Sequence, residues 1–142
     1  MKYATIAARV LFSFIFILSG FSHFSAGTIQ YAATQGIKFA SLVVPFSGLL
    51  AIAGGLSILL GFRARIGAVL IALFIIPVSI SMHAFWNVTD PMMQQLQTIM
   101  FTKNMAILGG ALLIIANGVG AFTLDGWLQK SRKANQVAAA FS

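Results

Sequence analysis

Between Met82 and Asn104, a chain otherwise nearly free of ionisable side chains places His83, Trp86, Asp90 and Lys103 close together, with Asn104 next in line. An ammonium and an imidazole both donate hydrogen bonds to carbonyl oxygens, and the imidazole can also pass a proton near neutral pH. An indole and a run of methionines suit a flat apolar ring. The chemistry this set can offer is therefore binding, and protonation, of a small apolar molecule that carries oxygen acceptors. Other chemistries lack their residues. No nucleophile–base–acid set, Gly-rich phosphate loop or stacked basic-aromatic surface for nucleic acid is present. His23 and His83, without a carboxylate beside them, fall short of a metal shell, so no metal is expected. Cysteine is absent, which removes disulfides, thiolate zinc and cysteine-ligated iron–sulfur clusters, and any redox role has to borrow its electron carrier.

The elements that position these residues are membrane spans. Of 142 residues, 59% are hydrophobic and only 8% charged, and the mean hydropathy is +0.95, so the chain lacks the polar surface of a soluble domain. Its net charge of +7 sits at the ends of apolar runs, which makes anionic lipid headgroups of the bilayer its electrostatic partner. The expected fold is an all-α integral membrane four-helix bundle, one domain over 1–126, with spans near 5–24, 40–62, 66–85 and 103–122 and a basic cytoplasmic tail over 127–142. For the first span a signal peptide competes, with Lys2 as its basic start and Phe24-Ser25-Ala26 as a cleavage site.

Two short amphipathic segments are expected in the interface: Ala26 to Phe39, ending at Gly36, and Asp90 to Met100, with Asp90 as N-cap and Pro91 as first helical residue. The second is either an ordinary connection or a Met-lined lid over the bundle mouth. Arg9, Ser13, Phe16, Gly20 and His23 recur at helical spacing and share one inward face. Arg9 either snorkels to the near interface or is held inside by Asn117 or by backbone carbonyls at the ends of spans two and four, with Ser13 assisting. Ser47/Gly48, Ala51, Gly54/Gly55 and Gly61 form a small-residue stripe for close helix packing. Pro77, inside span three, should kink it and open space on one side.

Lys2, Arg63, Arg65, Lys130, Arg132 and Lys133 fall on one side of this arrangement, and only Lys38 and Lys103 on the other, so both termini are expected to be cytoplasmic. His23, His83, Trp86 and Lys103 then converge at the outer rim. We expect an apolar cavity there, opening between spans one, three and four, with His83, Lys103 and Asn104 as polar lining, Trp86 at its edge and His23 nearby.

Several stretches carry a family resemblance: Ser19-Gly20-Phe21-Ser22-His23-Phe24 closing the Arg9 span, Gln30-Tyr31-Ala32-Ala33-Thr34-Gln35-Gly36, Gly54 through Arg65, His83-Ala84-Phe85-Trp86, and Phe101-Thr102-Lys103-Asn104 running on to Gly109-Gly110. In these the chain resembles the DoxX family of small four-span bacterial membrane proteins. The resemblance implies an inner-membrane location and association with membrane oxidoreductases, the family name deriving from a thiosulfate:quinone oxidoreductase. It also implies a glutamate three residues before the paired glycines, where this chain has Ala51. The function expected is that of a quinone-interacting subunit of a membrane oxidoreductase, with bound quinone, no covalent cofactor and a partner protein that supplies electrons. A non-catalytic membrane scaffold, docking a partner or a second copy of itself, is the alternative. A small-solute transporter fits less well, because inverted repeats and broken helices are missing.

Overall fold

The computed structural model describes residues 2–120 and 122–140. Six α-helices account for most of them: α1 (Lys2–Ser22), α2 (Ala26–Thr34), α3 (Ala40–Leu60), α4 (Ala64–Met82), α5 (Pro91–Asn117) and α6 (Leu124–Ala140). Four of these, α1, α3, α4 and α5, are long and apolar enough to cross a bilayer. Large apolar side chains such as Leu11, Phe14, Leu42, Leu73 and Leu113 point outward along them, as lipid-facing surfaces require.

Glycine contacts set the packing. A Cβ placed on Gly54 would lie 2.8 Å from the carbonyl oxygen of Gly67, and one on Gly67 would lie 2.5 Å from Ser57 Oγ, so α3 and α4 meet backbone to backbone. Gly20 and Gly48 do the same for α1 and α3: a Cβ on either would come within 2.8 Å of the other's carbonyl oxygen. The expected stripe on span two is thus a packing face on both of its sides. Around it Phe16, Ala51, Ile58, Ile71 and Ile75 form the buried core. The α3–α4 turn is short, with Gly61 (φ +65°) closing α3 and Arg63 (φ +47°) opening α4.

Helix α2 lies against the bundle through Ala32, which packs with Ala40 and Val44 of α3, while Ile29, Ile37 and Met82 close the cluster. Ser25 Oγ accepts the Thr28 amide at its start, a cap not anticipated from the sequence, and Gly36 (φ +85°) follows its end, near where the sequence ends it.

Two expectations are corrected. Asp90 does cap a helix, its Oδ1 accepting the Met93 amide at 2.8 Å, but the helix that begins at Pro91 continues unbroken into span four. The segment that Gln94, Gln95 and Gln97 make look interfacial is the start of one continuous helix, and its threonines bond back on that helix: Thr98 Oγ1 donates to Gln94 O and Thr102 Oγ1 to Thr98 O. Nothing in the segment then has to break. At a 1.5 Å rise, 27 residues reach roughly 40 Å, about 10 Å more than the hydrocarbon core, so the first turns of α5 stand clear of it.

Span four also ends at Asn117 rather than Phe122, because Gly118 and Gly120 both adopt φ of +76° and stop the helix. The last helix, α6, runs as far as Ala140 and is docked at its base. Asp125 Oδ2 accepts the Arg63 amide at 2.7 Å, and Thr123 Oγ1 accepts the Gly126 amide.

Candidate functional site

The helices leave a cavity of about 260 Å³ between α1, α4 and α5, roofed in part by α2. His23, His83, Lys103 and Asn104 all line it, together with Tyr31 and Phe74. Trp86 does not. The chain leaves α4 at His83 and makes a single 3-10 turn over Phe85–Asn87, which swings the indole onto the Phe85 and Phe101 rings at 5.1 and 5.7 Å. Trp86 is half exposed there, part of an aromatic belt beside the mouth.

Each polar lining group is held by a different element. His83 caps the C-terminus of α4, and its Nδ1 shares a 2.8 Å hydrogen bond with Gln97 Oε1 on α5. That bond fixes the ring plane and leaves the other ring nitrogen to define what the imidazole presents. Asn104, on α5, is buried, and its Nδ2 donates to Ser79 Oγ at 3.1 Å; Ser79 in turn donates to the Ile75 carbonyl at 2.6 Å. The relay ties α5 to α4 at the cavity's floor and orients the amide. Lys103 is held more weakly: among the described residues its Nζ bonds the sulfur of Met100, at 3.3 Å, a weak acceptor that an oxygen would displace.

His23 sits just past α1. A Cβ on Gly48 would lie 2.7 Å from the Cβ of His23, so only a glycine on α3 lets the histidine come this close. Its ring packs on Phe74 at 5.4 Å, and Phe74 meets Phe16 edge to face at 6.2 Å. Buried His23 Nδ1 has no hydrogen-bond partner among the described residues. The cavity is therefore a mostly apolar slot with aromatic walls that also carries several hydrogen-bonding groups.

The opposite end of the bundle holds Arg9, 6% exposed. Its Nε donates to the carbonyl of Ile58 at 3.1 Å and its terminal nitrogens to those of Leu59 and Phe122. These carbonyls lie in the last turn of α3 and in the loop after α5, where intrahelical donors run short. The buried account of Arg9 holds and snorkelling does not. Two of its expected partners are corrected: Asn117 Nδ2 donates to Leu113 O of its own helix, and Ser13 Oγ, fully buried, has no partner among the described residues. Carbonyls converge on the guanidinium from two chain segments, so a side-chain acceptor was not needed.

Sequence reading missed Ser79, Gln97 and Tyr31. A serine in an apolar run and a glutamine on a surface turn carry no signal until their partners on another helix are known. Tyr31 and Thr28 are three residues apart on α2, and that spacing was the available hint that one side of α2 faces the cavity.

Residues 1–131 match the family model of the SURF4 family. The chain belongs to the SURF4 family. Within it, the chain is similar to two proteins of Escherichia coli K12. It is 33% identical over 127 residues to inner membrane protein YqjF, covering 88% of this chain and 92% of that protein. It is 32% identical over 120 residues to inner membrane protein YphA, covering 83% and 85% respectively. No solved structure matches. Relatives of the inner membrane and four apolar helices make this SURF4-family member a multi-pass inner-membrane protein in contact with the lipid bilayer.

Proposed function

We propose that the cavity binds the head of a membrane quinone and that the protein serves a membrane oxidoreductase system as its quinone-interacting subunit. The observation that carries this reading is the grouping of His83, Lys103, Asn104 and His23 around one cavity whose other walls are mostly aromatic and aliphatic. A quinone head is flat and apolar, and its two carbonyls accept hydrogen bonds but donate none. Lys103 donates to one carbonyl once it leaves Met100, and His83, whose Nδ1 donates to Gln97 Oε1, donates to the other through Nε2 when the ring is imidazolium. Phe16 and Phe74 supply faces and edges for the ring. Reduction of a bound quinone takes two electrons and two protons. His83 is the group placed to pass protons, and the electrons come from a partner protein, since this chain has no cysteine to ligate a cluster. The DoxX-like motifs support the same reading, as they include His83, Lys103 and Asn104 themselves.

Quinone binding in lipid nanodiscs tests it. Lys103→Met should weaken binding by about 1.5–3 kcal/mol, the range for a hydrogen bond to a charged group. His83→Phe removes a second donor and should weaken it further. Unchanged affinity in both variants, in protein that folds and inserts, rejects the site and favours a scaffold that docks a partner protein.

A further inference from the structure

A second cavity, of about 250 Å³, lies between α3 and α4 beneath α2, and it shares five lining residues with the first: His23, Thr28, Phe74, Val78 and Met82. The two are separated by little more than the His23 ring and the Phe74 ring on which it packs. Each alone falls below the roughly 300–1,000 Å³ of a small-molecule site, and the two together fall within it.

Their chemistry differs. The hydroxyls that line the second cavity are already paired: Ser47 Oγ donates to the Val44 carbonyl and Ser81 Oγ to the Pro77 carbonyl, both at 2.7 Å, and Thr28 Oγ1 shares a 2.9 Å bond with Ser25 Oγ. Apart from these and His23, the lining of this crevice is aliphatic and aromatic. Pro77 has no N–H to offer the carbonyl of Leu73, and both residues line it, so it opens where α4 lacks a backbone bond. Val43, Phe46 and Leu73, also lining residues, are all substantially exposed on the lipid-facing surface of α3 and α4. The mouth therefore faces the hydrocarbon layer, whereas the first cavity carries its donors at the polar rim.

We infer that one amphiphilic molecule spans both cavities, its head at His83 and Lys103 and its single polyprenyl chain running past His23 and Phe74 into the crevice, with entry sideways from the bilayer. This rests on the quinone reading and narrows it to a tailed quinone with its chain at α3 and α4, away from Trp86 and the start of α5. His23, which lines both cavities, lies at the junction, and its buried Nδ1 has no partner among the described residues. The chain leaves one hydrocarbon medium for another, so the crevice supplies packing and direction rather than a hydrophobic driving force.

The test compares a tail-less benzoquinone with the same head carrying a short polyprenyl chain, in nanodiscs, for the native protein, Val43→Trp and Ser47→Leu. Val43→Trp narrows the mouth at a lipid-exposed position that folding tolerates; Ser47→Leu fills the interior. Both should weaken the tailed quinone by about tenfold or more, as forcing a chain into overfilled space costs, and leave the tail-less one within about twofold. Should Ser47→Leu fail to fold, Val43→Trp alone decides. Equal binding of the tailed quinone by native protein and variants overturns the inference and leaves the head site standing. Competition by a fatty acid as strong as that by the polyprenyl chain also overturns it, making the crevice an ordinary acyl slot. If the native protein binds neither quinone, the head reading fails, and this inference with it.

Discussion

Replacing Arg9 separates a structural arginine from a snorkelling one. One guanidinium donates to at least three carbonyls, those of Ile58, Leu59 and Phe122. Hydrogen bonds to a charged group contribute about 1.5–3 kcal/mol each, so three are worth roughly 4.5–9 kcal/mol. Arg9→Met also removes a charge whose insertion costs about 2.5–3.5 kcal/mol at a helix centre. Ile58 O keeps a second donor, the Gly61 amide, so its loss is the smallest of the three. The net destabilisation should then lie near the lower end, about 2–3 kcal/mol. Arg9→Lys is the more telling change. It keeps the buried charge but reaches one carbonyl where the planar fork reaches three, so it should be no more stable than the Met variant. Reversible unfolding in mixed micelles, followed by helical circular dichroism, measures all three proteins. Snorkelling demands the opposite order: Lys equal to the native protein, and Met within about 0.5 kcal/mol of it. That result would refute the carbonyl cradle.

Gly54→Ala should destabilise the bundle by about 1–3 kcal/mol, because its Cβ meets the Gly67 carbonyl and the Ile71 side chain at 2.8 Å and forces α3 from α4. Gly27→Ala on α2, with nothing within 4 Å of the new Cβ, is its control and should lose no stability in the same unfolding assay. For topology, single cysteines at Gln95 and Ser131 should label from opposite sides of sealed vesicles, Ser131 from the cytoplasmic side. Labelling of both from one side would refute the four-span path.

The inward face of α1 was legible in the sequence because its members differ in kind from their lipid-facing neighbours and recur at the helical period. Arg9, Ser13, Phe16 and Gly20 are all buried. The grouping of His23, His83, Lys103 and Asn104 followed from depth alone, which span counting supplies. Rotation about each helix axis is what span counting does not supply. Asn117 lies near the depth of Arg9 and yet bonds within its own helix, and Trp86 lies near the depth of His83 and yet faces Phe101. Polar residues mislead in a second way. A threonine or serine in lipid can satisfy its hydroxyl on its own helix, as Thr98, Thr102 and Ser81 do, so a run of them need not mark an interface or a turn.

The position of the site has a cause in the distribution of glycine. Backbone contacts at Gly20/Gly48 and Gly54/Gly67 draw α1 onto α3 and α3 onto α4. Between α1 and α5 the corresponding meeting is Phe12 against Gly110, where a ring fills the space a second small residue would have left for the other backbone. A ring wedged at mid-height holds the two helices apart above and below it. On one side of this waist lies the cavity with His23, His83 and Lys103, and on the other a gap of about 460 Å³ lined by Arg9 and Asn117. The first is lined by Lys103 and Asn104, side chains that carry hydrogen-bond donors. In the second, the donor with the greatest capacity, Arg9, is already committed to carbonyls, which is why the two gaps, alike in origin, differ in what they can hold.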